Sequence, residues 1–291
     1  MLQEVERTAG GVTTQVLTVF LAGSECPFTC VFCDLWRYTL DEPTPGGAIP
    51  RQIERAFEET GPLPESCRLK LYNASNFFDR RAVPAADIPA VARLVAPFSR
   101  VVVECHPRLV GGDCVGFSKA IGGTLEVAMG LETVHPKALP RLNKKMSRED
   151  YDRAVGELAA RGIAHRAFVL VGAPFVPPDA MVDWSVISAA YAMDRGAETV
   201  TLIPVRAGNG ELDRLAAAGE FRRPTLGEAE AALERSLQLP GKAVVQLDMW
   251  DLETLSSCSH CFGHRQERLE RINLTGAMEP AIDCTECGGE S

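Results

Sequence analysis

Short β-rich segments alternate along this chain with segments of helical periodicity, and this alternation limits the folds that the chain can adopt. Between the β-rich runs, apolar residues recur every three and four positions, which is the spacing of one helix face. Six strands are predicted at residues 16–22, 68–73, 101–105, 125–130, 167–171 and 199–205. Helices are predicted at residues 50–59, 86–96, 147–161 and 179–195. Because strands that alternate with helices form parallel sheets, the sequence predicts an α/β fold.

Length and charge limit the domain organisation and the partners. The chain has 291 residues, enough for one large α/β domain with a small appendage. We predict a first region over residues 1–250, which includes a helix at 226–239 and a further strand at 243–247, and a cysteine-rich tail over residues 251–291. A net charge of -9 argues against an extensive nucleic-acid surface.

The sequence also predicts where the protein resides. Residues 1–11 lack the apolar core of a signal peptide, and no apolar run reaches roughly 18 residues. We therefore expect a cytoplasmic protein with no membrane partner. In the reducing cytosol, cysteines that cluster indicate metal binding more than disulfides, and seven of the ten cysteines fall into two tight clusters.

The first cluster directly follows the first predicted strand. Cys26, Cys30 and Cys33 have the spacing C-x3-C-x2-C on one loop. A cubane 4Fe-4S cluster normally takes four thiolates, so three thiolates leave one iron open for an exogenous ligand. The alternative interpretations are a zinc site and three unrelated core cysteines.

This segment, with Phe32 before its last cysteine, resembles the cluster motif of the radical S-adenosylmethionine (SAM) superfamily. The resemblance implies a partial (β/α)6 barrel in which SAM binds the open iron and is cleaved to a 5'-deoxyadenosyl radical that abstracts hydrogen. It also implies an electron donor such as flavodoxin or ferredoxin. Residues 70–79, 102–108 and 127–133 resemble one branch in particular, which includes the radical SAM subunit of archaeosine synthase and the elongator catalytic subunit. Both act on tRNA, so a tRNA substrate is one expectation, and a small biosynthetic intermediate is the other.

The same resemblance implies which residues hold SAM. Phe32 is expected to pack on the adenine, and Asn73, Ser75 and Asn76 to lie where the superfamily positions the SAM amino group. The remaining candidates are Glu104 for the ribose hydroxyls, Glu132 for SAM or the substrate, and Arg166 for the SAM carboxylate. Two alternatives stay open: residues 73–76 can be a simple polar turn, and Glu104 can form an ion pair with Arg108 or Arg166.

The second cysteine cluster lies in the tail. Two C-x2-C pairs are separated by 22 residues: Cys258, Cys261, Cys284 and Cys287. Four thiolates suit tetrahedral zinc or an auxiliary iron-sulfur cluster, and redox-active dithiols are a third possibility. Beside them, Arg265, Arg268 and Arg271 alternate with glutamates, which predicts a solvated helix face.

Two classes of function follow from these patterns. The first is a radical SAM enzyme that uses the Cys26, Cys30 and Cys33 cluster, with zinc or a second cluster in the tail. The second is a zinc-bearing scaffold or interaction protein whose barrel is catalytically inactive. The intact set of three cysteines favours the enzyme.

Overall fold

The structure is a computed structural model that describes residues 1–64, 66–206 and 209–288. Within these ranges, eight strands form a single, nearly closed, barrel-shaped sheet in which every strand lies beside its neighbours in sequence. The strands are β1 Leu2–Arg7, β2 Thr13–Leu21, β3 Arg68–Asn73, β4 Arg100–Glu104, β5 Thr124–Glu132, β6 Ala164–Val171, β7 Thr199–Pro204 and β8 Val244–Leu247.

Helices connect the strands from β2 onward. In the described ranges they are α1 Ala48–Thr60, α2 Ile88–Val95, α3 Gly112–Ala120, α4 Arg148–Ala159, α5 Met181–Asp194, α6 Glu211–Ala217, α7 Leu226–Leu237 and α8 Ser259–Thr275. Strands β2 to β8 run parallel, whereas β1 is antiparallel to β2. The six predicted strands correspond to β2 through β7, so the predicted α/β barrel with a cysteine-rich extension is confirmed. Strand β1 was not predicted.

The barrel strands place apolar side chains toward the helices and polar ones inside. In β3, Leu69 and Leu71 belong to the main hydrophobic core, whereas Lys70 and Tyr72, which alternate with them, face the interior of the barrel. This alternation follows from the two-residue period of a strand. The interior of the barrel is therefore free to hold charged and polar groups.

A buried ion network fills the barrel near the beginnings of its strands. Arg166, the third residue of β6, pairs with Glu6 at 3.0 Å and with Glu126 at 2.9 Å. Lys70 also reaches Glu6, at 2.6 Å. Burial raises the pKa of Glu6, but Arg166 and Lys70 outweigh it and hold that pKa below its usual range. Carboxylates therefore neutralise these buried cations inside the barrel.

The edges of the sheet, β1 and β8, approach each other across a seam. Two side chains bridge it: Arg7 donates to the Val245 carbonyl at 3.4 Å, and Gln246 donates to Glu6 Oε1 at 3.3 Å. Helix α8 packs against both edge strands and covers the seam. Its Asn273 side chain donates to the Leu247 carbonyl at 2.8 Å and accepts the Leu247 N–H at 2.9 Å. Helix α8 thus satisfies backbone groups that an edge strand leaves unpaired.

The tail is packed onto the barrel rather than suspended from it. Leu269 and Ile272 of α8 lie in the same hydrophobic core as the strands. The division at residue 250 stays a prediction, but the two regions share one core.

The prediction of a solvated arginine face is wrong for two of its three residues. Arg265 and Arg268 are buried, because they lie against α7 and pair with Glu230 and Glu234. Only Arg271 has an exposed side chain, which pairs with Glu279. Spacing along α8 could not reveal that carboxylates on α7 face the same arginines.

Among the described residues, no helix has the length and apolar character needed to cross a membrane.

Candidate functional site

The three cysteines of the first cluster lie at the end of the barrel where the parallel strands finish. Cys26, Cys30 and Cys33 are half-buried in the loop that joins β2 to α1. Asn76, in the loop after β3, donates from Nδ2 to Cys26 Sγ at 3.2 Å, and its Oδ1 accepts the His106 N–H at 2.7 Å. Asn76 therefore connects the cysteine loop to the ends of β3 and β4. Catalytic sites of barrel enzymes lie at this end of the strands.

Hydrogen bonds from neighbouring loops hold the cysteine loop. The Val31 N–H donates to the Leu142 carbonyl at 3.0 Å, and the Asn143 side chain donates to the Thr29 carbonyl at 2.8 Å. On the other side, Asn209 Nδ2 donates to the Val31 carbonyl at 2.5 Å. These anchors keep the three thiols in one region while leaving them partly accessible.

Around the cysteines, several buried polar atoms lack partners within the described ranges. Asn73 Oδ1 and Ser75 Oγ are buried without a hydrogen bond among the residues that the structure describes. Leaving such atoms unpaired costs about 1–3 kcal/mol each, so buried polar atoms without partners indicate a missing ligand or water. Asn73 and Ser75 were both predicted to lie beside SAM, and both lie on the loop that begins at the end of β3.

Glu104 ends β4 at the same mouth of the barrel. Its carboxylate accepts one hydrogen bond, from the Asn73 N–H at 3.3 Å, and pairs with neither Arg108 nor Arg166. Burial raises the pKa of Glu104 to about 7, against the opposing effect of the Asn73 N–H. In its ionised form this carboxylate accepts hydroxyl donors, as its predicted role at the ribose requires.

The raised pKa gives a prediction for Glu104→Gln. The folded protein holds the Glu104 proton more tightly than the unfolded chain, so the wild type loses stability as pH rises from about 4.5 to about 7. Glutamine carries no charge and does not titrate. We therefore expect the unfolding free energy of the variant to exceed that of the wild type by about 1 kcal/mol at pH 5 and by about 3 kcal/mol at pH 8. Urea unfolding at the two pH values measures this.

An exposed carboxylate in the cysteine loop provides the matched control. Glu42→Gln should leave the unfolding free energy within about 0.5 kcal/mol of wild type at both pH values. A constant difference between Glu104→Gln and wild type across this pH range would contradict the assignment.

Glu132 forms a buried ion pair that the sequence did not reveal. The Lys144 ammonium donates to Glu132 Oε1 at 2.8 Å, and both side chains are almost inaccessible. His106 is adjacent to Lys144, with its Nε2 atom 2.9 Å from the Lys144 carbonyl. Its Nδ1 atom accepts the Arg108 N–H at 3.1 Å, and its ring stacks on Phe28. Lys144 and Phe28 were missed. The one local signal was Asn143, a residue type that tolerates the left-handed backbone seen there.

Arg166 is not brought to this site, contrary to the prediction. The strand that carries it begins at Ala164, so Arg166 lies near the start of β6 and not at its end. Its guanidinium is engaged by Glu6 and Glu126, inside the other half of the barrel. Phe32, in contrast, is partly buried against both large hydrophobic clusters beside the cysteine loop. Its contact with adenine stays a prediction.

The donor set at this mouth fits an iron-sulfur cluster and SAM. The buried cation Lys144 favours the thiolates of Cys26 and Cys30, and the Asn76 amide donates to Cys26, so both groups offset thiolate charge. The unpaired oxygens of Asn73 and Ser75 are acceptors suited to an ammonium group.

The tail cysteines form a separate site. Cys258 and Cys261 lie at the start of α8, and Cys284 and Cys287 lie in the turn that follows residue 280. The four sulfur atoms lie within 4.8 Å of one another. Cys258 Sγ is 3.9 Å from Cys284 Sγ, and Cys261 Sγ is 3.7 Å from Cys287 Sγ. This arrangement can hold a metal ion.

Comparison with protein-family models gave no match, and comparison with curated proteins gave none. Among solved structures, an archaeal Elp3 from Methanocaldococcus infernus aligns over 89% of this chain and 63% of its own chain, at 16% identity and a TM-score of 0.60. This chain thus spans less than two thirds of that Elp3.

Two further structures give similar values. Methylornithine synthase (PylB) aligns over 94% of this chain and 85% of its own, at 12% identity and a TM-score of 0.52. A radical SAM methyltransferase from Sphaerobacter thermophilus aligns over 81% and 66%, at 15% identity and a TM-score of 0.50. At these identities the likeness concerns the fold: the chain has the barrel fold of the radical SAM enzymes.

Proposed function

We propose that this protein is a radical SAM enzyme. In this proposal Cys26, Cys30 and Cys33 bind a 4Fe-4S cluster, which, when bound and reduced, supplies the electron that cleaves SAM to a hydrogen-abstracting 5'-deoxyadenosyl radical. The observation that carries the proposal is the placement of these cysteines at the ends of the parallel strands, beside buried polar atoms that lack partners. The scaffold alternative offers no reason for such atoms to lie there.

The chain's own residues have distinct tasks in this proposal. The oxygens of Asn73 and Ser75 accept the SAM ammonium group, and Glu104 accepts the ribose hydroxyls. Asn76 orients Cys26 through its 3.2 Å hydrogen bond.

We further propose that the tail binds one zinc ion. Four sulfurs at Zn–S distances of about 2.3 Å lie about 3.8 Å apart along the edges of a tetrahedron. The Cys258–Cys284 and Cys261–Cys287 separations of 3.9 and 3.7 Å support this geometry. In a 4Fe-4S cluster, by contrast, each thiolate binds its own iron and the cysteine sulfurs lie farther apart. Burial and the neighbouring cysteine thiols raise the pKa of Cys261 to about 11, and a hydrogen bond from Arg265 to the Cys261 sulfur opposes that rise.

The partners follow from the chemistry. A one-electron donor of low potential, of the flavodoxin or ferredoxin class, supplies the electron. A tRNA and a small biosynthetic intermediate are both proposals for the substrate, and a salt-dependent affinity for tRNA would favour the former.

Anaerobic purification and reconstitution test the proposed function. We expect about four irons, about four sulfides and about one zinc per chain, together with 5'-deoxyadenosine when SAM and dithionite are added. A parallel sample without dithionite should form none. Failure to take up iron, or iron uptake without 5'-deoxyadenosine, would favour the scaffold, whereas about eight irons without zinc would make the tail an iron-sulfur site.

A further inference from the structure

The Lys144–Glu132 pair is the most tightly enclosed charged group at the mouth of the barrel. The 2.8 Å contact between Lys144 Nζ and Glu132 Oε1 joins side chains that are only 10% and 7% exposed, so both charges are largely removed from water. Burial lowers the pKa of Lys144, but the Glu132 carboxylate outweighs it and the pKa is raised, so Lys144 stays a cation at neutral pH. Removing two charges from water is unfavourable before they interact.

The backbone is shaped around this pair. At Gly130 a Cβ atom would lie 2.0 Å from Glu132 Oε1 and 2.6 Å from Lys144 Nζ, so any larger residue would displace both charged groups. Glu132, Asn143 and Lys145 adopt positive φ angles of 65°, 55° and 57°. Strained conformations of non-glycine residues persist where the surroundings hold them, and they concentrate at functional sites.

The pair lies beside the cysteine loop, because Asn143, the residue before Lys144, donates to the carbonyl of Thr29, the residue before Cys30, at 2.8 Å. Its charges therefore act on the cysteines. Burial raises the pKa of the Cys30 thiol to about 12, the Lys144 ammonium opposes that rise, and the Glu132 carboxylate adds to it. Lys144 likewise favours the thiolate of Cys26, whereas Glu132 disfavours that of Cys33. The fixed charges of the pair therefore influence the three proposed cluster ligands with opposite signs, and the low dielectric of the site strengthens both effects.

We propose that Lys144 and Glu132 set the reduction potential of the cluster held by Cys26, Cys30 and Cys33. This inference rests on the proposed function. Gaining one electron makes the cluster and its thiolates more negative, so a fixed cation stabilises the reduced form and a fixed carboxylate destabilises it. Lys144 raises the potential and makes the cluster easier to reduce, while Glu132 limits that effect and holds the ammonium in place. Both are positioning residues in this role.

A redox titration of the reconstituted protein without SAM tests this inference. With mediators present, the reduced fraction is followed by electron paramagnetic resonance at a potential near the wild-type midpoint. We expect the ratio of reduced to oxidised cluster to fall at least about fivefold in Lys144→Met and to rise at least about twofold in Glu132→Gln. A tenfold change in this ratio equals a shift of about 59 mV for one electron.

The controls separate charge from structure. Lys137→Met removes an exposed lysine from the same loop and should leave the ratio unchanged. A purely structural pair would give two variants that shift in the same direction or not at all, and that result overturns the inference. If Lys144→Met does not bind iron, Glu132→Gln alone tests the inference. A ratio of reduced to oxidised cluster in Glu132→Gln that is equal to or below the wild-type ratio refutes the inference. Wild-type protein without iron would instead refute the proposed function.

Discussion

Replacing Cys30 with alanine is expected to abolish iron binding at the barrel mouth and to reduce 5'-deoxyadenosine formation at least about a thousandfold. Cys30 is the middle ligand of the three, and the loop holds no fourth cysteine that can take its place. With only two thiolates, two irons of a 4Fe-4S cluster have no cysteine ligand, and the cluster is lost. Iron and sulfide counts, visible absorbance and product formation measure the effect.

A matched substitution distinguishes ligand loss from a general effect of removing a buried thiol. Cys67→Ala makes the same chemical change in the hydrophobic core, where Cys67 Sγ donates to the Arg68 carbonyl at 3.4 Å. This control should keep about four irons, and both variants should keep the tail zinc. If Cys30→Ala retained its iron, or if Cys67→Ala lost it to the same extent, the assignment of the cluster ligands would be wrong.

The second large effect is expected from the tail. The double variant Cys258→Ser/Cys261→Ser removes two of the four thiolates, so zinc should fall from about one to below about 0.1 per chain. Structural zinc contributes about 10 kcal/mol or more to the folding of small zinc domains, so we expect the unfolding free energy to fall by at least about 3 kcal/mol. Chemical denaturation and metal analysis measure both.

The position of α8 predicts which strands lose stability when the tail metal is removed. Because α8 covers the seam between β1 and β8, and because Asn273 bonds both backbone groups of Leu247, loss of the metal should loosen the two edge strands. We expect amide hydrogen exchange to become at least about tenfold faster in β1 and β8, with little change in β4 and β5.

A surface histidine on the same helix serves as the control for this experiment. His264→Ala alters an exposed residue that lies outside the four-cysteine group and should leave zinc content and exchange unchanged. Faster exchange confined to residues 258–288 would show that the metal organises the tail alone and does not support the barrel.

Several features of this protein could be predicted because they depend on local patterns. The C-x3-C-x2-C spacing and the strand before it placed the cysteines at a strand end, and the alternation of strands and helices predicted the parallel sheet. The predicted strand at 68–73 coincides with Arg68–Asn73, and the predicted helix start at 147 coincides with a capping box that Ser147 and Asp150 form at the start of α4. Each of these signals lies within a few residues of the feature that it predicts.

The site residues show where local patterns end. Asn76 contacts Cys26, which lies 50 positions earlier in the sequence. Glu132 pairs with Lys144 at the mouth of the barrel. The loop that carries Lys144 is held there by the hydrogen bonds of Leu142 and Asn143 to the cysteine loop. The predicted strand at 167–171 already put Arg166 at the beginning of its strand, but the sequence alone could not show that Glu6 and Glu126 pair with it inside the barrel.

Strand β1 shows most clearly the difference between what local sequence patterns reveal and what depends on tertiary contacts. An ordinary strand at a sheet edge is recognised by apolar residues on its inner face. In Leu2–Arg7 the inward positions are Glu4 and Glu6, so this signal is absent. Those carboxylates are stable there because Lys70 and Arg166, 64 and 160 positions from Glu6, supply the opposite charges. The sequence by itself determined strands β2 to β8, five of the described helices (α1, α2, α4, α5 and α7) and the cysteine motifs. Only the tertiary structure decided which charges meet inside the barrel, because electrostatic pairing depends on distance in space.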